Sequence, residues 1–303
     1  MAKIFIAATS FGKDTRSLLE NSGRNEVLFN TLGRKLASLE IIKFASDSAG
    51  IIAGTEEYSR EVLQKFSNLK AISRCGAGVD NIDLAAAKEM GIKVFNTPDA
   101  PTLAVAELAV GLMLNLLRGV SLTDRQVRNG IWLKYTGNLL KGKNIGIVGF
   151  GRIGRKVAEL LCPFAVHIAY YDINIKDANS AYTFKPMWDL LAWADIITLH
   201  CPPEKAGKRF LAEKELARMK SGSYLINTSR GGLIDESALY NSIKEGHLSA
   251  AALDVFQDEP YKGKLAELNN VILTPHIGSY AQEARIEMER QAVVNILKGL
   301  EGV

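Results

Sequence analysis

Gly149-Phe150-Gly151-Arg152-Ile153-Gly154 follows the apolar run Asn144-Ile145-Gly146-Ile147-Val148 directly and leads into Arg155-Lys156-Val157-Ala158-Glu159-Leu160-Leu161 at helical spacing. A strand, three glycines at fixed spacing and a helix leave few folds open. Gly149 permits the tight turn, Gly151 lets backbone N–H groups approach a pyrophosphate, and Gly154 lets the helix pack closely on the strand. The helix N-terminus adds partial positive charge. Asp172 closes the next apolar run, Val166 to Tyr171, about 20 residues beyond the loop. A carboxylate there accepts hydrogen bonds from ribose hydroxyls and repels a 2′-phosphate. Ile173-Asn174-Ile175 contain no Arg, and Lys176 is the only nearby cation, so NAD is expected over NADP.

The loop sits inside a longer alternation. Ile4–Ala7, Gly50–Ala53, Leu69–Ile72 and Lys93–Phe95 read as strands, with Glu61–Phe66 and Leu84–Met90 as helices between them and Gly91 as a stop. A second series follows: Asn144–Gly149, Val166–Tyr171, Ile196–Leu199, Tyr224–Asn227, Leu248–Leu253 and Val271–Leu273. Alternating strands and helices imply parallel sheets, so two series predict two doubly wound α/β domains. The chain length of 303 residues suits two domains. Pro98 and Pro101 break both periodicities, and the boundary is expected near Thr97–Pro101.

Two helices bear on how those domains are built. Thr102 to Arg118 is apolar nearly all round and must be covered on every side, in a core or at a subunit interface; the interface is the preferred reading. Gln282 to Leu297 is amphipathic and is expected to return to the first domain. The expected division is therefore residues 1–98 plus 280–303 as a substrate domain, and 99–279 as a cofactor domain.

Composition excludes other classes. At 47% hydrophobic and 23% charged the chain is an ordinary globular protein, not a disordered one. A formal charge of +4 without a basic run is a weak argument for nucleic acid and none about fold, and no nucleic-acid partner is expected. Cys75, Cys162 and Cys201 are odd in number and far apart, which suits a reducing compartment and neither a disulfide framework nor a metal site. The N-terminus reads as a buried strand rather than a signal peptide, and Leu103–Leu117 is too short for a membrane span. A cytoplasmic protein without a membrane partner is expected.

A dinucleotide loop names a cofactor, not a reaction. The chemistry is sought at strand ends, where three segments stand out: Asn227-Thr228-Ser229-Arg230-Gly231-Gly232, Asp254-Val255-Phe256-Gln257-Asp258-Glu259-Pro260 and Leu273-Thr274-Pro275-His276-Ile277-Gly278-Ser279. An Arg, a Glu and a His suit reversible hydride transfer to a carbonyl beside a carboxylate. Arg230 is expected to grip the carboxylate through a two-bond fork and polarise the carbonyl. His276 is expected to give the carbonyl oxygen a proton in reduction and recover it in oxidation. Glu259 is expected to bond the other imidazole nitrogen, orient the ring and favour its charged form. His167 and His247 read as structural, and His200 as a weaker candidate on the cofactor side.

Taken together these segments resemble the D-isomer-specific 2-hydroxyacid dehydrogenase family over nearly the whole chain. The matching pieces are Gly78–Asn81, Asn96-Thr97-Pro98, the glycine loop, Asn227–Gly232, Ala252-Leu253-Asp254-Val255-Phe256 with Glu259-Pro260, and Thr274–Gly278. Ser73–Asn81 is most similar to the phosphoglycerate dehydrogenase branch. The resemblance implies a Rossmann NAD domain, a flavodoxin-like substrate domain and a cleft between them. It implies the catalytic set Arg230, Glu259 and His276, and a homodimer built on the long apolar helix. It assigns NAD to Gly149, Gly151, Arg152, Ile153, Gly154, Asp172, Cys201, Thr228, Ser229, Arg230, Asp254, His276 and Gly278. It assigns the substrate to Gly76, Ala77 and Gly78 backbone together with Arg74, Arg230 and His276. The implied activity is hydride transfer between NAD(H) and a D-2-hydroxy acid/2-oxo acid pair, with 3-phosphoglycerate/3-phosphohydroxypyruvate a candidate pair.

The chain also departs from that pattern. The family's Pro-Leu-Thr-x-Glu-Thr loop is here Cys201-Pro202-Pro203-Glu204-Lys205-Ala206-Gly207, and Gly54 stands where phosphoglycerate dehydrogenases tend to carry an Arg for the phosphate. Arg74 and Lys134 are the remaining phosphate candidates, and an end at Val303 implies no serine-sensing domain. The alternative function on the same fold is an NAD-sensing, dimeric, corepressor-like binding protein.

Overall fold

A computed structural model describes residues 2–9, 11–20, 25–174, 181–203 and 209–301. Lys176 and residues 204–207 of the departing loop lie outside the described residues. The chain divides into two compact units, Met1–Pro101 with Ser279–Val303, and Thr102–Gly278.

The first unit runs β1 (Ala2–Ile6), α1 (Lys13–Glu20), β2 (Asn25–Phe29), α2 (Ser38–Ala45), β3 (Gly50–Ala53), α3 (Arg60–Leu63), β4 (Ala71–Arg74), α4 (Leu84–Glu89) and β5 (Lys93–Asn96). Its five strands are all parallel in the order β2-β1-β3-β4-β5, the 2-1-3-4-5 order of flavodoxin-like sheets. β3 is buried throughout, as a strand covered by helices on both faces must be. The last helix of the chain, Gln282–Leu300, lies on this sheet and buries Met288, Ala292, Val293 and Ile296. Gly299 is needed there, since a Cβ on it would stand 2.6 Å from the Ala71 Cβ.

The second unit runs α5 (Thr102–Arg118), α6 (Val120–Arg128), β6 (Asn144–Val148), α7 (Arg152–Leu161), β7 (His167–Tyr171), β8 (Thr183–Phe184), α8 (Met187–Trp193), β9 (Ile196–Leu199), α9 (Glu213–Arg218), β10 (Tyr224–Asn227), α10 (Glu236–Lys244), β11 (Ala250–Leu253) and β12 (Val271–Leu273). α11 is the helix Gln282–Leu300 already described. The seven strands are parallel in the order β12-β11-β10-β9-β6-β7-β8. The chain is thus a two-domain α/β protein with parallel sheets, and the second sheet has the Rossmann arrangement. Asp235 caps α10 by accepting the Ser237 and Ala238 N–H groups, which fixes where the chain re-enters helix after the Arg230 loop.

Several elements differ from the sequence reading. β2 and β8 go unread because both are edge strands: β2 is only partly buried and β8 has two exposed residues, so neither shows the continuous apolar run of a central strand. β4 begins two residues later than expected, at Ala71, and α3 stops at Leu63, with Phe66 packed in the following turn. One face of the helix Thr102–Arg118 lies in a core. Ala106, Ala109, Leu112, Met113, Leu116 and Leu117 are buried within their own unit, in one cluster with residues of β6, α7, β10 and β11. That face of the helix is covered by its own unit, while Leu103 of the same helix stays 50% exposed. Among the described residues no single helix is long and apolar enough to cross a membrane.

Candidate active site

The glycine loop is built for close approach. Gly149 has φ +88°, and a Cβ there would fall 2.6 Å from the Cys201 nitrogen and the His200 carbonyl carbon, so only glycine lets β6 turn against the end of β9. Gly154 meets the same limit on its other side, where a Cβ would lie 2.1 Å from the Gly149 oxygen. Gly151, the N-cap of α7, faces open space. The loop is therefore tight against the protein at its first and third glycines and clear at its second, where a pyrophosphate would approach the helix N-terminus.

Asp172 lies at the end of β7. Its Oδ2 accepts the Phe150 N–H at 2.7 Å and its Oδ1 accepts the Asn174 N–H at 2.8 Å. Two main-chain donors hold the carboxylate on the wall of a cavity of about 210 Å³, lined also by Gly149, Gly151, His200, Cys201 and Phe210. Ser229 Oγ donates to the Cys201 carbonyl at 2.5 Å, tying the β10 loop to the β9 loop. Arg152 is exposed at the first turn of α7, and Ile153 is half-buried beside it.

Two buried polar atoms at this strand edge have no partner among the described residues: Thr228 Oγ1 and His200 Nδ1. The other ring nitrogen of His200 bonds Thr198 Oγ1 at 2.8 Å. Burial pushes the His200 pKa down to about 3, so the ring is neutral and offers a hydrogen bond, not a charge. Unmet polar groups, an open glycine and a held carboxylate along one edge fit a dinucleotide.

Arg230, Glu259 and His276, singled out in the sequence, come from the loops after β10, β11 and β12. Glu259 and His276 meet directly: Nδ1 lies 3.1 Å from Oε1 and 3.0 Å from Oε2. The two side chains are 38% and 36% exposed, so the ring is held yet remains reachable by a ligand. His276 has φ +55°, a left-handed conformation uncommon outside glycine and a mark of a residue fixed by its surroundings.

Those surroundings are supplied by Asp254, which is fully buried. Its Oδ1 accepts Thr274 Oγ1 at 2.6 Å and Ile277 N–H at 2.8 Å; its Oδ2 accepts Gly278 N–H at 2.7 Å. Burial pushes its carboxyl above the usual range, and these hydrogen bonds pull it back. Sequence reasoning gives Asp254 to the cofactor. In the structure its carboxylate grips both flanks of His276, a role visible only once residues some twenty positions apart are adjacent.

Arg230 is half-buried, with Nη1 donating to the Ser229 carbonyl at 2.7 Å. Asn227 shapes its loop, accepting the Ser229 N–H at 3.0 Å through Oδ1 and donating to the Arg230 carbonyl at 2.8 Å through Nδ2. The next residue, Gly231, presses on the loop that carries Glu259: a Cβ on it would lie 1.9 Å from the Phe256 carbonyl carbon. Asn227 and Gly231 appear in the sequence motif without a role; here they set where Arg230 stands. His247 bonds the Leu216 carbonyl at 3.2 Å, and His167 is exposed at the start of β7.

In the first unit, Gly76, Ala77 and Gly78 follow β4. Gly76 has φ +141° and donates its N–H to Thr97 Oγ1 at 2.8 Å, and Asn96 Nδ2 donates to the Ala77 carbonyl at 2.7 Å. The Asn-Thr-Pro segment after β5 thus holds this glycine loop in shape. Arg74 folds over it, donating from Nη1 to the Cys75 carbonyl at 2.8 Å.

Comparison with known proteins gives a family. Residues 110–278 match the family described as D-isomer specific 2-hydroxyacid dehydrogenase, NAD binding domain. The chain is 36% identical to the hydroxypyruvate reductase of Thermotoga maritima over 95% of both chains. It is 39% identical to the D-3-phosphoglycerate dehydrogenase of Methanocaldococcus jannaschii over 94% of this chain and 55% of that one, so it spans about half the length of this relative. Its structure superposes on the TT0316 protein of Thermus thermophilus with a TM-score of 0.91 at 34% identity, covering 99% and 97% of the two chains. NAD is the cofactor of the matched domain.

Proposed function

The chain belongs to the D-isomer specific 2-hydroxyacid dehydrogenase family, and we propose that it interconverts a D-2-hydroxy acid and the corresponding 2-oxo acid. The observation that carries this reading is the contact of both Glu259 oxygens with His276 Nδ1. With Nδ1–H donated to the carboxylate, Nε2 is the nitrogen left to exchange a proton with substrate. In reduction, bound NADH would supply the hydride. His276 Nε2 gives a proton to the carbonyl oxygen, and the Glu259 carboxylate stabilises the imidazolium before that transfer. Oxidation runs the same steps backwards: Nε2 takes the hydroxyl proton as the hydride leaves the carbon.

Arg230 takes the substrate carboxylate and draws electron density from the adjacent carbonyl. The first unit is the substrate domain in this reading, with the backbone of Gly76, Ala77 and Gly78 as its substrate-binding loop, and the second is the NAD domain. Asp172 would hold the adenosine ribose, Gly151 with Arg152 and Ile153 the pyrophosphate, and Cys201, Thr228, Ser229 and Gly278 the remaining length of the dinucleotide, with Asp254 acting on it only through the loop it holds. The relatives differ in their named substrates, so the 2-oxo acid is fixed by assay. With glyoxylate, pyruvate, hydroxypyruvate and phosphohydroxypyruvate in turn, at least one is expected to oxidise NADH, and NADH is expected to be favoured over NADPH about tenfold or more. No oxidation with any of the four favours the cofactor-sensing, corepressor-like role instead.

We also propose a homodimer that works in the cytoplasm. The support is an apolar surface in the second unit, where Trp132, Leu133 and Leu139 are 83%, 66% and 69% exposed. A sedimentation mass of one chain rather than two would remove the dimer.

A further inference from the structure

We infer that Glu56 is a specificity-determining residue: its carboxylate, seated at the carboxyl end of β3 next to the glycine loop after β4, turns the site against substrates that carry a phosphate. The inference rests on the 2-oxo acid reading and on the assignment of Gly76–Gly78 to the substrate carboxylate.

Register fixes the neighbourhood. Ala53 is the partner of Arg74 in the sheet, and the Cys75 N–H donates to the Ala53 carbonyl at 2.9 Å. Gly54 and Gly76 therefore leave adjacent strands at the same edge, where ligands of open parallel sheets bind. Glu56 is turned inward at this edge, only 1% exposed, with Oε2 accepting the Gly54 N–H at 2.7 Å. Asn81 clamps the turn by donating to the Glu56 carbonyl at 2.5 Å and the Gly54 carbonyl at 3.3 Å. A Cβ on Gly54 would stand 3.0 and 3.1 Å from the two carboxylate oxygens and 3.3 Å from the Ala8 Cα. A side chain at position 54 and an inward carboxylate at position 56 thus compete for one space. In this chain the carboxylate has it.

The charge around it is finely matched. Burial pushes the Glu56 carboxyl up, against the pull of the Gly54 N–H and of the Lys35 and Arg74 charges. Arg74 lies over the glycine loop, its Nη1 only 1.3 Å from where a Cβ on Gly76 would be. Part of that guanidinium's field is already answered by Glu56. What remains suits the single carboxylate of a small 2-oxo acid; a phosphate dianion added there meets the repulsion of the Glu56 carboxylate.

Glu56→Gln tests this, because the amide oxygen still accepts the Gly54 N–H while the charge is gone. The wild-type protein is expected to favour hydroxypyruvate over phosphohydroxypyruvate in kcat/KM, and Glu56→Gln to shift that ratio toward the phosphorylated acid about tenfold or more. A residue that only shapes the loop would change both substrates alike. A ratio that moves less than about twofold, or a wild-type preference for the phosphorylated acid, overturns the inference and leaves the dehydrogenase reading standing. Thermal shifts with D-glycerate and 3-phosphoglycerate separate the opposite case. If neither oxo acid is reduced, yet Glu56→Gln gains affinity for 3-phosphoglycerate alone, the inference holds and the catalytic reading fails. If neither ligand's affinity changes, the inference fails with it.

Discussion

Replacing His276 with Asn is expected to lower kcat by about 10²–10⁴-fold, or about 2.7–5.4 kcal/mol of transition-state stabilisation, while NADH still binds. The size follows from the assigned role: without Nε2 the alkoxide that forms as hydride arrives has no positioned proton. Asn is preferred to Ala because position 276 sits at φ +55°, which Asn tolerates and Ala resists. Loss of turnover in Asn then reports the missing proton rather than a loop that has changed its backbone. Asp254 keeps its three donors in this variant, since Thr274 Oγ1 and the Ile277 and Gly278 N–H groups are untouched. Stopped-flow NADH oxidation with the preferred 2-oxo acid reads the effect, and turnover within about threefold of wild type would mean that another group gives the proton.

The second large effect is expected from a methyl group. A Cβ on Gly231 falls 1.9 Å from the Phe256 carbonyl carbon, 2.1 Å from its oxygen and 2.4 Å from the Gln257 nitrogen. All three are backbone atoms, so no rotamer change relieves the overlap and the two loops must part. One loop carries Arg230 immediately before the contact, and the other carries Glu259 three residues beyond Phe256. A shift on the order of 1 Å between groups that must act together costs about 10²-fold in rate, so Gly231→Ala is expected to lower kcat/KM by at least that. It should also destabilise the fold by about 1–3 kcal/mol, the usual cost of overpacking. Gly232 provides the control, because a Cβ there meets nothing nearer than Arg209 Nη1 at 3.8 Å. Gly232→Ala is expected to stay close to wild type in rate and melting temperature. Equal behaviour of the two variants would show that the contact does not position Arg230.

These expectations mark where the sequence is legible. The glycine loop is legible because strand, glycines and helix are contiguous in sequence: Asn144–Val148 runs into Gly149, Gly154 touches Gly149, and Arg152–Leu161 follows at once. The central strands read correctly because a parallel strand covered on both faces needs an unbroken apolar run, as at Ile145–Val148 and Ile196–Leu199. The edge strand Asn25–Phe29 lacks that run because one side of it has no neighbour in the sheet.

What stays hidden is pairing across the chain. Nothing local says that Asp254 is spent on Thr274 and Gly278, or that Gly231 lies against Phe256. Each depends on two loops whose proximity is set by strand order rather than by sequence spacing. The helix Thr102–Arg118 shows the same limit: its apolar surface says that something covers it, and only the fold shows which residues, such as Met113 and Leu117, its own domain covers.

The claim beneath all of this is direct hydride delivery to the carbon next to a carboxylate. Incubating the protein with NADH deuterated at the transferable C4 position and the preferred 2-oxo acid, then reading the product by NMR and chiral chromatography, examines that claim in one step. The account predicts deuterium bonded to C2 of the D-2-hydroxy acid, with no washout into solvent. Product without the label, or of the L configuration, would contradict it.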